Sequence, residues 1–153
     1  ALVGQAVGRR NGAAAQLVAS LAMRQISLGL TVYAVALAIL HRPVIAALSL
    51  DPTVVTILHA SIPFIILMQL ADGPVTAYGD ALRGAGDTLY ASVVCFLSTA
   101  AIIICGGLTV AYGFPQLGSA GIWGLDALYS IVLGVAFTLR WRMRSPLASA
   151  DRL

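Results

Sequence analysis

TVVTILHASIPFIILMQLADGPVTAY, residues 53–78, decides the fold. These 26 residues hold a single charged side chain, Asp72. An α-helix rises about 1.5 Å per residue and a bilayer core is about 30 Å thick, so about 20 mostly apolar residues suffice to cross it. The stretch reads as a membrane-spanning helix with one carboxylate inside it.

Three further stretches meet the same demand, near residues 16–40, 90–112 and 120–139. Between the spans lie Gly8-Arg9-Arg10-Asn11-Gly12, His41-Arg42-Pro43, Arg83-Gly84-Ala85-Gly86-Asp87 and Gly113-Phe114-Pro115 through Gly118, all rich in turn and cap residues. Val44–Leu50 is too short to span and reads as a short interfacial helix before the Asp51-Pro52 helix start. Ala1–Val7 reads as the last turns of an earlier helix. The chain opens on apolar residues with no initiator Met and no leader pattern, so it is expected to begin inside something larger.

Composition agrees with a lipid-embedded chain. Hydrophobic residues make up 59% and charged residues 10%, and the mean hydropathy is +0.93. The charges are nine arginines and six aspartates, with no lysine or glutamate, which excludes an extended surface of long charged helices. The expected fold is all-α, a polytopic membrane helix bundle over residues 1–144, followed by a polar tail over residues 145–153. Alternate connectors carry Arg9 and Arg10, then Arg83, then Arg140, Arg142 and Arg144, whereas the opposite side carries Arg42. The Arg-rich side, with the C-terminus, is therefore expected to be cytoplasmic.

In the decisive span Gln69, Asp72, Thr76, Asp80 and Arg83 recur at steps of three and four, which stacks them on one helix face. Asp72 is 11 residues from Arg83, about 16 Å along the axis and so near mid-membrane. A carboxylate at that depth is costly unless it binds a cation, exchanges a proton or meets a basic partner. Pro74 follows and cannot donate to the Leu70 carbonyl, so the helix is expected to bend and leave that oxygen free beside the carboxylate, as in the broken-helix ion sites of transporters. The alternative is a structural aspartate bonded to a neighbouring helix with Pro74 as a packing kink. Asp80 and Arg83, at i, i+3, form an interfacial ion pair on this reading.

The Arg83-Gly84-Ala85-Gly86-Asp87-Thr88 connector has the glycines of a phosphate cradle, but it follows a membrane helix and lacks the P-loop lysine. Nucleotide binding is excluded. The expected structure is a tight turn with Asp87 capping the helix that starts near Thr88. A second polar stripe runs through Gln16, Ser20, Arg24, Ser27 and Thr31. Arg24 lies where it either snorkels to the inner headgroups or contacts substrate or an acid across a cavity. Asp126 shares a face with Ser119, Trp123 and Ser130 in the outer half of the last span, in a water-facing or hydrogen-bonded structural role or lining a cavity. Cys95 and Cys105, about 15 Å apart on one helix, cannot bond to each other and read as packing residues. His41 and His59 lie near outer helix ends, where a wet histidine needs no functional reading.

Several stretches carry a family resemblance. Leu2-Val3-Gly4-Gln5-Ala6-Val7-Gly8 with its Asn-Gly turn is followed by Asp51-Pro52-Thr53-Val54, Gln69-Leu70-Ala71-Asp72, Ala81-Leu82-Arg83-Gly84-Ala85-Gly86-Asp87-Thr88 and Leu117-Gly118-Ser119-Ala120-Gly121-Ile122-Trp123. In order and spacing this resembles the second half of the multidrug and toxic compound extrusion (MATE) transporters, from the end of the eighth helix to the twelfth, over nearly the whole chain. Gly73-Pro74 departs from the family's Ala-containing continuation.

The resemblance implies a partial C-terminal lobe of a two-lobed exporter in the bacterial inner membrane, not an enzyme. It implies antiport of amphipathic organic cations against sodium or protons, with no other cofactor. Asp72 with Gln69 would take the coupling cation or proton, including Na+ as the one metal expected. Thr76, Arg24 and Asp126 would line the cavity, and Arg83, Gly84, Gly86 and Asp87 would form the signature turn. The implied partners are the lipid bilayer, the missing N-terminal lobe and small organic cations, with no nucleic acid. A lipid or polysaccharide flippase of the same superfamily and a non-transporting truncated scaffold are the other readings.

Overall fold

The structure, a computed structural model, describes residues 2–48 and 51–144. Its described residues are helical, joined by short turns. The expected polar tail over residues 145–153 lies outside them.

Helix α1 (Leu2–Gly8) ends in a turn closed by Arg10 N–H to the Val7 carbonyl at 2.9 Å and Asn11 N–H to the Ala6 carbonyl at 3.0 Å. Arg10 takes φ 54, and the adjacent Asn11 caps α2 (Gly12–Ala47) by accepting from the Ala14 N–H at 3.0 Å. Helix α3 (Pro52–Gly84) starts the same way, with Asp51 accepting from the Thr53 N–H at 2.7 Å and Pro52 in the first turn, where its missing donor costs nothing. Then come α4 (Thr88–Ser98), a π-helical segment Thr99–Cys105 and α5 (Gly106–Gly113), which together make one continuous rod. A 3-10 turn, Pro115–Leu117, leads into α6 (Gly118–Arg144), where Gly118 at φ 49 supplies the left-handed corner.

Among the described residues, four helical stretches are long and apolar enough to cross a membrane: Gly12–Ala47, Pro52–Gly84, Thr88–Gly113 and Pro115–Arg144. They contain the four expected spans and overrun them. The largest correction is at His41-Arg42-Pro43, expected as a connector, which lies inside α2, so Val44–Ala47 continues that helix instead of forming a separate one. The proline removes one backbone bond close to the helix end, where little ladder remains to be broken. The His41 Nδ1, 2.9 Å from the Ala38 carbonyl and 3.2 Å from that of Leu37, adds side-chain hydrogen bonding to this same turn. Ser49 and Leu50, the rest of the expected interfacial helix, lie outside the described residues.

Helices α3 and α6 run in parallel and touch along most of their length. Ser61 donates to or accepts from Ser119 at 3.2 Å, Phe64 packs on Gly124, Pro74 and the Ala71 carbonyl lie on Gly134, and Phe137 lies on Gly79. Gly73 faces the other way, where a methyl group would come 2.9 Å from the Ser27 hydroxyl of α2. So α3 is held between α2 and α6 at Gly73-Pro74 by residues small enough for close approach, the usual way to join helices in lipid. Two small buried clusters gather at the Arg-rich end, one of Val3, Ala6, Ala15, Ala19 and Ala81, the other of Leu82, Ala91, Leu133 and Phe137. Elsewhere large apolar side chains such as Leu89, Phe96 and Tyr112 point outward, as a bilayer-facing surface requires.

Candidate functional site

The polar stripe of α3 is built by an unbroken helix, which continues through both Pro63 and Pro74. Pro74 has no N–H to give, so the Leu70 carbonyl lacks its usual helical donor. Asp72 is half-buried on the stripe, with the exposed Thr76 one turn on along the same face. Asp126 of α6 is close enough for the two carboxylates to interact electrostatically. Gln69 lies one turn before Asp72 and is half-buried. The structure thus places Gln69, Asp72 and Thr76 on one face of α3, with Asp126 on the adjoining α6.

Arg24 does not join it. It is exposed on α2, and the hydroxyls of its stripe bond back to their own helix: Ser20 donates to the Leu17 carbonyl at 2.9 Å and Thr31 to the Ser27 carbonyl at 2.7 Å. On α6, Ser119 is taken up by Ser61, and Ser130 is buried. Trp123 and Asp126 instead share a recess of about 220 Å3 with Ile122, Leu125 and Ile103, the last from the π-helical segment. Among the described residues no group of three or more His, Cys, Asp or Glu side chains is placed to hold a metal ion.

The signature turn has a different construction from the one expected. Asp80 and Arg83 do pair, at 3.0 Å, on an exposed face. Gly84 packs against α1, where a methyl group would come 3.4 Å from the Gly4 nitrogen, and Gly86 takes φ 84, which favours glycine. Asp87 occupies the cap position of α4, yet its side chain makes no cap bond. It is buried and turned instead to α6, with Oδ2 2.8 Å from Arg140 Nε and 3.2 Å from Arg144 Nε. Two guanidinium groups outcompete a helix end for a carboxylate because ionised donors bind it more strongly than neutral amides do. Arg140 also lies over the Tyr90 ring at 4.8 Å, and Tyr90 donates to the Ala136 carbonyl at 3.3 Å.

Sequence reasoning assigned no partner to Asp87 beyond its own helix. It also missed the edge-to-face contact of His41 with His59, whose ring centroids are 5.4 Å apart. Neither pairing leaves a local pattern, since each joins separate helices.

The profile of the MatE family matches residues 1–109. A probable multidrug resistance protein NorM from Aromatoleum aromaticum (strain DSM 19018 / LMG 30748 / EbN1) is 32% identical over 156 residues, covering 95% of this chain and 33% of that protein. The chain thus spans about a third of the length of this curated relative. No solved structure matches it. With more than half of its length under the family profile and four helices able to cross a membrane, the chain belongs to the MatE family of multidrug and toxic compound extrusion transporters.

Proposed function

We propose that this chain is part of the C-terminal lobe of a cation/drug antiporter, the end of helix 8 to helix 12 of a MATE transporter, and that Asp72 is its coupling carboxylate. The observation that carries the reading is the setting of Asp72: half-buried in the middle of an apolar span, on a helix face that also carries Gln69 and Thr76, next to the Gly73-Pro74 step. A sodium ion would take its ligands from the oxygens on this face, and a proton would sit on the carboxylate itself. Either neutralises a charge that is costly at this depth, and that change biases the rocking of one lobe against the other. The substrate on this reading is an amphipathic organic cation. The Arg-rich end and the C-terminus face the cytoplasm of a bacterial inner membrane, and the N-terminal lobe completes the cavity.

The test is Asp72→Asn in the full-length transporter, assayed for efflux driven by a sodium or proton gradient. Asparagine keeps the size and hydrogen bonding of the side chain but neither holds a negative charge nor exchanges a proton. Coupled efflux should be abolished with insertion near normal. Efflux at the wild-type rate would mean that Asp72 is a structural residue and that coupling lies elsewhere.

A further inference from the structure

We infer that the recess formed by Trp123 and Asp126 of α6 with Ile103 of the π-helical segment seats the cationic head of an amphipathic organic cation. This deepens the exporter reading above and rests on it, but assigns substrate contact to a place distinct from Asp72.

The recess combines the three features that such a head requires. Its walls are apolar, from Ile103, Ile122 and Leu125. Trp123 supplies an indole, the aromatic ring that best attracts a quaternary ammonium or phosphonium group. Asp126 supplies the opposite charge. Among the described residues the ion pairs of Asp80 and Asp87 are made with Arg83, Arg140 and Arg144, and none involves Asp126. A carboxylate within an apolar span that makes no ion pair among the described residues can take its counter-charge from a bound cation.

The backbone explains why space exists there. The two rods approach closely beside the recess: a methyl group on Gly106 would come 3.0 Å from Leu125, and one on Gly121 would come 2.9 Å from Val110. The seven-residue π-helical segment, Thr99–Cys105, ends just before Gly106, and its wider turns shift the register of the wall that carries Ile103. The volume of about 220 Å3 is below the roughly 300–1,000 Å3 of complete ligand pockets, so the recess holds the charged head while apolar arms extend along the neighbouring surface.

The seat also lies within electrostatic range of Asp72. A cation on Asp72 and a cation on Asp126 therefore disfavour each other, which is the relation an antiporter needs between its coupling ion and its substrate.

The experiment is equilibrium binding of radiolabelled tetraphenylphosphonium to the full-length transporter in detergent, with uncharged triphenylphosphine oxide as the neutral comparison and no ion gradient. Asp126→Asn should weaken phosphonium binding by about tenfold or more and leave the neutral compound within about twofold. Trp123→Leu should weaken the phosphonium by roughly fivefold and Trp123→Phe by less. Ile103→Trp, which fills the recess while leaving the side chains of Trp123 and Asp126 unsubstituted, should block the phosphonium if Asp126→Asn fails to fold. Wild-type phosphonium affinity in Asp126→Asn or in Ile103→Trp, or an equal loss for both compounds, overturns the inference. Because the assay reads binding and not transport, loss of binding in Asp126→Asn beside full coupling in Asp72→Asn would sink the coupling reading and not the seat.

Discussion

The guanidinium of Arg140 meets the carboxylate of Asp87 across 53 residues of sequence, with Nε 2.8 Å from Oδ2. Arg144 reaches the same oxygen from one turn later and also donates to the Ala85 carbonyl at 3.4 Å, so the end of α6 is tied to the turn between α3 and α4. Buried polar groups of this kind are costly to leave half-made. Asp87→Asn should lower the thermal midpoint of the full-length protein by roughly 3–6 °C, followed by fluorescence-detected size exclusion after heating. Arg140→Lys should fall short of wild type as well, because an ammonium cannot both bond Asp87 through a fork and lie flat over Tyr90. Wild-type midpoints for both variants would show that the tie contributes nothing to stability.

The crossing of α3 and α6 depends on Gly134. A methyl group there would lie 3.3 Å from both the Ala71 carbonyl oxygen and the Pro74 Cβ, so alanine demands a small adjustment and leucine a separation of the helices. Gly134→Ala should remain close to wild type. Gly134→Leu should cost about 1–3 kcal/mol of overpacking and displace the Asp72 segment with it. Unchanged stability and transport in Gly134→Leu would mean that the two helices are not held at this distance.

Much of this architecture could be read along the chain because lipid imposes a simple code: apolar length sets the spans, and Asn11, Asp51-Pro52 and Asp80 with Arg83 act within a few residues of themselves. What escaped were decisions made between distant segments. Asp87 looks like a cap by position, and nothing near it reveals that Arg140 and Arg144 claim its side chain. Pro43 looks like a boundary, yet it falls near the end of α2, where helix continuation loses only one bond. The π-helical segment lies in TAAIIIC, residues 99–105, whose residue types carry no signal for π over α. Of the candidate site, the stripe holding Asp72 was legible from its spacing, whereas the company of Trp123 and Asp126 with Ile103 was not.

The Asp51 cap should give α3 a local acid sensitivity. The Thr53 backbone N–H, bonded to its carboxylate, holds Asp51 below the ordinary value of 3.8. A group whose folded value is depressed stabilises the fold above its unfolded value, and that contribution is lost as pH falls through the folded value. Hydrogen exchange of the first turn of α3 should therefore be slow above about pH 4 and quicken below it. In Asp51→Asn, which keeps an acceptor but does not titrate, this acid-dependent quickening should vanish. The same pH dependence in Asp51→Asn would assign it to another group.

Orientation is open to direct measurement because the two ends of α6 lie on opposite sides of the bundle. Gln116, in the 3-10 turn before α6, and Arg142, in its last turn, are both exposed, and Arg142 takes no part in the tie to Asp87. Neither position is needed for packing, so a cysteine there reports side rather than stability. With Cys95 and Cys105 first replaced by alanine, a membrane-impermeant maleimide applied to intact spheroplasts should label Gln116→Cys at once and Arg142→Cys only after permeabilisation. This follows from the concentration of Arg9, Arg10, Arg83, Arg140, Arg142 and Arg144 at one end of the four spans, which the positive-inside rule assigns to the cytoplasm. Labelling of Arg142→Cys in sealed spheroplasts, with Gln116→Cys protected, would invert the assignment and place the recess at Trp123 and Asp126 in the inner half of the membrane.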